Sequence, residues 1–491
     1  EEKDQNTAAD EMQKKPVEEE YLQAVLLCYS SADGCGVSKK AEFLAEDLNA
    51  AEFSVYVNEL FDKWMEAGAE AKKRWVLYAA AIHGGGAIIE KLLRQIKEWP
   101  QQARGAIACE AVKALSLNPL PQALLYVDGI AGKFKFKQVR AAANEALTFA
   151  AEQLGITREE LTDRIVPDLG FDERMERIFD YGGRKFIVTI TTALEIEVFE
   201  GVCREDTPQN LTRGKKLKNL PAPGKKDDVA KAASSYEEFK IMKKQIKTII
   251  ASQKQRLEMA LSTAREWDVD AWKQLFVKNP IMHQFAIGLI WGMYQDGRLT
   301  KSFRYMEDGS FNTEDEDEFE FPKQGRIGLV HPIELTEKSR EVWKEQLADY
   351  EIVQPFEQLN RPIYPMTKEE EDKQELTRFK DKTVNDLTLF SRLTGLGWYR
   401  GSVKDAGGFD TYYREDAQIG LGAELHFSGS FVGYAENEEV TIYDVRFYKA
   451  GTIARGSYVY DEADAEKALF LRDIPARYFS EIVWQMVKVT T

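Results

Sequence analysis

The chain has little cysteine and little histidine, four residues of each among 491, and it has no long apolar run. It contains neither a Cys-x-x-Cys pair nor a His-Glu-x-x-His motif, so no metal site or cofactor is predicted. The cysteines are expected to be reduced thiols. No stretch approaches the roughly 20 apolar residues of a membrane helix, and the charged start does not resemble a signal peptide. The sequence therefore predicts a cytoplasmic protein with no membrane partner.

Composition narrows the possibilities further. Lys and Arg number 66 against 82 Asp and Glu, a net charge of −16, which disfavours attraction of the whole surface to nucleic acid. An apolar fraction of 44% excludes a disordered chain, and the length suggests about three domains. Because residue 1 is Glu and not Met, we expect the chain to be processed or to be part of a longer protein.

The first third predicts short helices separated by Gly and Pro breakers. The string Ala-Arg-Gly-Ala at 103–106 is echoed 36 residues later by Val-Arg-Ala-Ala at 139–142. A repeat of this length is typical of helical-hairpin solenoids, so residues 21 to 160 are predicted to form a HEAT-like α-solenoid after a solvated leader, 1 to 20. The alternative is an irregular helical bundle. Both the solenoid and the bundle favour a binding function over a catalytic one.

The remaining chain predicts a multidomain α+β protein. Residues 161 to 365 are expected to form a mixed α/β domain with hairpins, including a strand over 185–190. Between Lys225 and Asn279 there is neither Gly nor Pro, and the apolar spacing predicts a long amphipathic helix. A charged linker at 366 to 384 then precedes a β-rich C-terminal segment, 385 to 491, with a closing helix.

Catalytic signatures are incomplete. Residues 129–134, Gly-Ile-Ala-Gly-Lys-Phe, are two residues short of a phosphate loop. Residues 395–400, Gly-Leu-Gly-Trp-Tyr-Arg, break the dinucleotide pattern at its last glycine. No Gly-x-Ser-x-Gly elbow is present. These incomplete motifs leave catalysis undecided and favour a protein that is not an enzyme.

A polar set in the middle domain is the best candidate for ligand binding. Its candidate ligand-binding members are Arg184, Arg304, His331 and Arg361. If the hairpins predicted at about 185–199 and 285–304 share a sheet, Arg184 and Arg304 would face one cleft. Together they would bind a carboxylate or phosphate through bidentate hydrogen bonds. In the alternative, Asp180 and Glu307 pair with these arginines and fasten turns.

A basic stretch suggests a second surface. Its candidate phosphate contacts are Arg213, Lys215, Lys216, Lys218, Lys225 and Lys226. Aligned with lysines of the long helix, they would bind a nucleic-acid backbone. A solvated helix face is the favoured alternative, because six cations on a helix are common and the chain is acidic overall.

Ordered short motifs resemble the MolR-like family, whose name comes from a proposed molybdate metabolism regulator. The motifs, which span about residues 60 to 490, are Ile-Val-Pro-Asp-Leu-Gly-Phe-Asp at 165–172, Asp-Tyr-Gly-x-Arg-x-Phe at 180–186, Leu-Pro-x-Pro at 220–223, Gln-Arg-Leu-Glu at 255–258, Ser-Phe-Arg-x-x-Glu-Asp at 302–308, His-Pro at 331–332 and Gln-Pro-Phe-x-Gln-Leu-x-Arg-Pro at 354–362.

The resemblance implies a bacterial cytoplasmic protein with helical repeats and a C-terminal domain of unknown function. It also implies a protein partner such as a MoxR-type AAA+ ATPase or a von Willebrand A-type protein. The leading hypothesis is therefore an interaction or scaffold protein. The alternatives are nucleic-acid binding through residues 213–256 and an enzyme with a cleft around Arg184, Arg304 and His331.

Overall fold

The computed structural model of the protein describes residues 17–32, 36, 38–153, 155–204, 207–417, 419–432 and 437–491. Most of the predicted leader, Cys35 and the side chain of Cys203 lie outside these residues, while Cys28 and Cys109 carry free thiols. The chain forms two compact units, Glu1–Pro167 and Asp168–Thr491. Within the described ranges, no helix is both long and apolar enough to cross a membrane.

The first unit is helical throughout its described residues. Its helices are α1 (Glu19–Ser30), α2 (Lys39–Ala45), α3 (Ala50–Glu66), α4 (Trp75–His83), α5 (Gly85–Glu98), α6 (Gly105–Leu115), α7 (Pro121–Lys133), α8 (Lys137–Gln153) and α9 (Arg158–Arg164). Their buried side chains join one apolar core that runs from Val25 to Ile165.

The predicted N-terminal α-solenoid of HEAT-like hairpins is wrong. Helix α4 is central: residues 76–81 are all buried, and α4 contacts α1, α3, α5 and α6. A helix that is apolar on every side must be surrounded, whereas each hairpin of a solenoid packs only on its neighbours. The similar strings lie at the starts of α6 and α8, which do contact each other, but they belong to a bundle around α4 and not to an array.

The second unit is α+β, and its described residues form three antiparallel sheets. The first sheet has the order β1-β2-β3-β4. Its strands are β1 (Glu176–Asp180), β2 (Lys185–Ile190), β3 (Ile196–Arg204) and β4 (Thr207–Leu217). Strand β2 has the predicted bounds. The sheet packs on the long helix α10 (Val229–Ser262), where Phe179 meets Phe239 edge to face.

Helix α10 confirms the predicted long amphipathic helix but is shorter than the Gly- and Pro-free stretch. Asp228 caps its start by accepting hydrogen bonds from the backbone N–H groups of Ala230 and Lys231. It ends without Gly or Pro, because Ala264 adopts a left-handed conformation with φ +52°.

The second sheet has the order β5-β9-β6-β7-β8. Its strands are β5 (Glu266–Asp268), β6 (Ile290–Gln295), β7 (Arg298–Tyr305), β8 (Phe311–Asn312) and β9 (Arg326–Leu329), and the helices α11 (Val269–Trp272), α12 (Pro280–Ile287) and α13 (Glu337–Asp349) accompany it. Trp343 and Leu347 of α13 pack on Ile290 of the sheet and on Leu359 of the following loop.

The third sheet has the order β10-β15-β14-β13-β12, with β11 also on β15. Its elements are α14 (Lys368–Glu371), β10 (Glu375–Leu376), β11 (Thr383–Asn385), α15 (Asp386–Gly395), β12 (Tyr399–Arg400), β13 (Gly408–Asp416), β14 (Leu421–Phe431), β15 (Glu439–Lys449) and the closing helix α16 (Ala476–Thr490). Its apolar face packs on α15 and α16. All three sheets belong to one compact unit, and the predicted boundaries within it remain predictions.

Candidate functional site

The loop at residues 354–361 is fixed by a buried glutamine. The Gln358 amide accepts a hydrogen bond from Ile290 N at 2.9 Å and donates to the carbonyl oxygens of Ile290 at 2.7 Å and Val330 at 2.9 Å. A side chain that replaces backbone pairing at the end of two strands holds its loop firmly. The loop therefore presents Arg361 in a defined position.

Arg361 is the centre of a buried ionic cluster. Its Nε and Nη2 donate to the two carboxylate oxygens of Glu481 at 2.8 and 3.0 Å, and its Nη1 donates to Glu258 Oε1 at 2.6 Å. The guanidinium carbon also lies 3.7 Å from the centre of the Trp484 ring. The bidentate pair with Glu481 joins the loop to α16, and the hydrogen bond to Glu258 joins it to α10.

His331 completes the cluster. Its Nδ1 accepts a hydrogen bond from Ile333 N at 3.1 Å, which leaves Nε2 as the donor to Glu481 Oε1, also at 3.1 Å. Burial lowers the pKa of His331, so the imidazole stays neutral. The side chain is fully buried and is engaged at both nitrogens, which suits a structural role.

Glu481 is ionised at physiological pH. Burial acts to raise its pKa, but hydrogen bonds from His331 and Arg361 and the charge of Arg361 lower the pKa to about 2. The Ser262 hydroxyl also donates to Glu481 at 3.1 Å. With such a pKa this carboxylate does not exchange protons near pH 7, so it is not suited to general acid or base catalysis there.

Beside this cluster lies an open groove with a volume of about 740 Å³. Three lysines from three different helices line it: Lys254 of α10, Lys344 of α13 and Lys488 of α16. Leu347, Ile352, Phe356 and Leu359 supply an apolar lining.

The groove also contains two carboxylates, Glu258 and Glu357, but Glu258 is engaged by Arg361. Lys488 lies 3.6 Å from the centre of the Trp484 ring, and Lys344 pairs with the exposed Glu341 at 3.0 Å. The groove is therefore an amphipathic surface that presents three lysines, one of them paired, beside two carboxylates.

The candidate ligand-binding residues have different partners. The structure brings Arg361 and His331 together on Glu481. Arg184 instead forms a bidentate pair with Asp227, at 2.9 and 2.6 Å, beside the first sheet.

Arg304 is buried on β7, where its Nη2 donates to Met306 Sδ at 2.8 Å and its guanidinium lies over Tyr350. Among the described contacts none joins Arg184, Arg304 and His331, and ligand binding by each of the four candidates remains a prediction.

The candidate phosphate contacts also differ in their surroundings. Arg213 and Lys216, on β4, pair with Glu176 and Glu197, both at 2.5 Å. Lys215, Lys218, Lys225 and Lys226 are exposed. Two of the six cations are thus already neutralised within the fold, and phosphate binding by the set remains a prediction.

Sequence reasoning missed the acid that joins the cluster. Glu481 lies on α16 among Phe479, Ile482 and Val483, which are all buried. A charged residue on the apolar side of a helix signals a buried pair, and that signal was present. Within the described residues, no group of three or more His, Cys, Asp or Glu side chains is placed to hold a metal ion.

The fold and the groove define an α+β protein with an open, lysine-lined groove. Residues 214–398 match a family model described as "Domain of unknown function (DUF4132)". The chain is also similar to "Uncharacterized protein YehI" of Escherichia coli (strain K12), with 32% identity over 400 residues. That alignment covers 78% of this chain but only 32% of the relative's length. No solved structure matches the chain.

Part of the chain is thus similar to a domain and to a relative whose descriptions state no function. Neither description carries the MolR name, so the MolR-like resemblance remains a proposal based on the short motifs.

Proposed function

We propose that this protein is an interaction protein whose second unit binds an extended acidic segment of a protein partner in the groove. The observation that carries the proposal is the convergence of Lys254, Lys344 and Lys488 from three helices on one open, partly apolar surface. The MolR-like resemblance suggests that an AAA+ ATPase or a von Willebrand A-type protein supplies the segment. A cytoplasmic location is part of the same proposal.

Electrostatics favours an acidic ligand. The chain carries a net charge of −16, so most of its surface repels an anionic partner. A local group of lysines is where the electrostatic attraction of such a partner is strongest. An apolar lining adds contact area for aliphatic side chains. A segment with alternating acidic and aliphatic residues fits both features.

The rigid wall of the groove supports binding without large rearrangement. Glu258 and Leu359 of the lining are attached to the buried cluster or its core: Glu258 through Arg361, and Leu359 through packing on Trp343. Preorganised surfaces lose less entropy on binding.

The test is the affinity of the full chain for a labelled six-residue peptide that alternates Glu and Leu. The titration is done at about 0.1 M salt, where the Debye length is about 10 Å, so the affinity depends mainly on charges close to the bound peptide. We expect saturable binding that the double variant K254E/K344E weakens at least about tenfold.

The matched control is K231E/K338E, which places the same charge change on the same two helices at exposed positions outside the groove. Equal weakening by both double variants, or absence of saturable binding in the parent chain, would overturn the proposal.

A further inference from the structure

A second, smaller cleft lies between the first sheet and α10. Its volume is about 250 Å³, below the range of about 300–1,000 Å³ that is usual for drug-sized ligands. Five aliphatic side chains line it: Leu194, Ile196, Val198, Ile246 and Ile250. Val198 and Ile246 are almost completely buried and form its floor.

Cations surround this aliphatic floor. Lys218 follows β4, while Lys243 and Lys247 lie one turn apart on α10, and all three line the cleft. Lys218 and Lys247 are exposed, so they belong to the solvent-accessible part of the lining. Lys243 Nζ lies 3.4 Å from the Asn219 side-chain oxygen, also at the cleft. Glu195 is the single acid of the lining.

We propose that this cleft binds a small amphipathic anion, an aliphatic chain that carries one carboxylate or phosphate group. The aliphatic chain of the ligand would lie on the isoleucine and valine floor, and its anionic group would lie among the three ammonium groups. The transfer of each methylene from water to an apolar floor stabilises binding, and the lysines select the charged end.

The lining argues against a nucleotide or a nucleic acid at the same place. Single-stranded nucleic acid is bound by stacking its bases on aromatic side chains, and the cleft lining contains none. Lys218, one of the candidate phosphate contacts, therefore faces an environment better suited to an aliphatic anion. This site is separate from the groove of the proposed function and does not depend on it.

The test is a titration of the full chain with octanoate and octyl phosphate, which distinguish the two head groups. Two controls separate the contributions of the ligand's parts. Octanol has the aliphatic chain but no charge, and inorganic phosphate has the charge but no aliphatic chain. We expect saturable binding of at least one of the two anionic amphiphiles, at least about fivefold tighter than octanol. Methyl resonances of Ile246 and Ile250 should shift, while that of Ile281 in the core should not.

The exposed double variant K218Q/K247Q should weaken binding of the amphiphile at least about fivefold. The matched control K231Q/K244Q, which alters exposed lysines of α10 outside the cleft, should leave it unchanged. Octanol binding as tightly as both anions, equal effects of the two double variants, or binding that leaves the Ile246 and Ile250 resonances in place would each overturn the proposal.

Discussion

Arg361 and Glu481 are 120 residues apart in the chain, yet they form a buried bidentate pair with distances of 2.8 and 3.0 Å. Both side chains are 1% exposed. Such a pair is sensitive to the loss of one partner. Without Arg361, the Glu481 carboxylate keeps only its hydrogen bonds with His331 and Ser262. Without Glu481, the guanidinium keeps only the partly exposed Glu258. It joins the loop that bears Arg361 to the closing helix, and Leu359 of the same loop lines the groove.

Glu481→Gln should destabilise the second unit by about 3 kcal/mol, because the buried Arg361 guanidinium loses its bidentate carboxylate and keeps only the partly exposed Glu258. Urea unfolding followed by tryptophan fluorescence measures the change. Glu466→Gln, at an exposed position, is the control and should change stability by less than about 0.5 kcal/mol. Equal stabilities of the two variants would contradict a buried, compensated pair.

Acid should remove the same stabilisation. The pKa of Glu481 is about 2 against an ordinary value of 4.5. A carboxyl group whose pKa is depressed by folding stabilises the protein above its unfolded-state pKa, and this stabilisation, about 3 kcal/mol, is lost as the pH falls from about 4.5 towards 2. The stability difference between the parent chain and Glu481→Gln should therefore shrink below about pH 4.5. A difference that stays constant down to pH 3 or so would refute the assignment.

In the first unit, His83 should titrate with a low pKa. Burial lowers its pKa to about 4, and its Nε2 lies 2.7 Å from the Tyr29 hydroxyl. Because the unfolded chain takes up this proton first, the contribution of His83 to stability is present above about pH 6.5 and is lost as the pH falls towards 4. An NMR titration of the ring should show its midpoint near 4, and a midpoint near 6.5 would show that the ring is solvated.

Gly422→Ala should destabilise the third sheet by about 1–3 kcal/mol. A Cβ atom at this position would lie 2.4 Å from the Tyr448 ring, and Tyr448 is fully buried. The control is Gly395→Ala at the end of α15, where a Cβ would meet nothing within 4 Å. Thermal unfolding of both variants checks the prediction, and equal melting temperatures would show that Tyr448 moves freely.

Local periodicity was enough to predict several elements. The spacing of Phe239, Met242 and Ile246 predicted α10, and the strand predicted over 185–190 has its observed bounds. These features depend on neighbours in the sequence, so the sequence contains the information needed. The end of α10 was missed, because the left-handed turn at Ala264 has no distinctive residue type.

The solenoid prediction failed for a physical reason. Small residues at helical spacing show that two helices approach closely, but not how many others surround them. The all-apolar helix α4, with buried residues 76–81, was the contrary signal, since a solenoid helix buries one stripe. Likewise, Arg361 was predicted as a member of the polar set, but its partner Glu481 could not be identified because it lies 120 residues away in the sequence.

The sequence by itself determined the acidic charge, the α+β composition and the places of the long helix and the hairpins, because these follow from residue type and local spacing. Only the tertiary structure decided that the first helices surround α4, that Glu481 joins Arg361 and His331, and that lysines from three helices share one groove. Those features depend on which distant segments pack together, and that choice is made by the burial of the whole apolar surface at once.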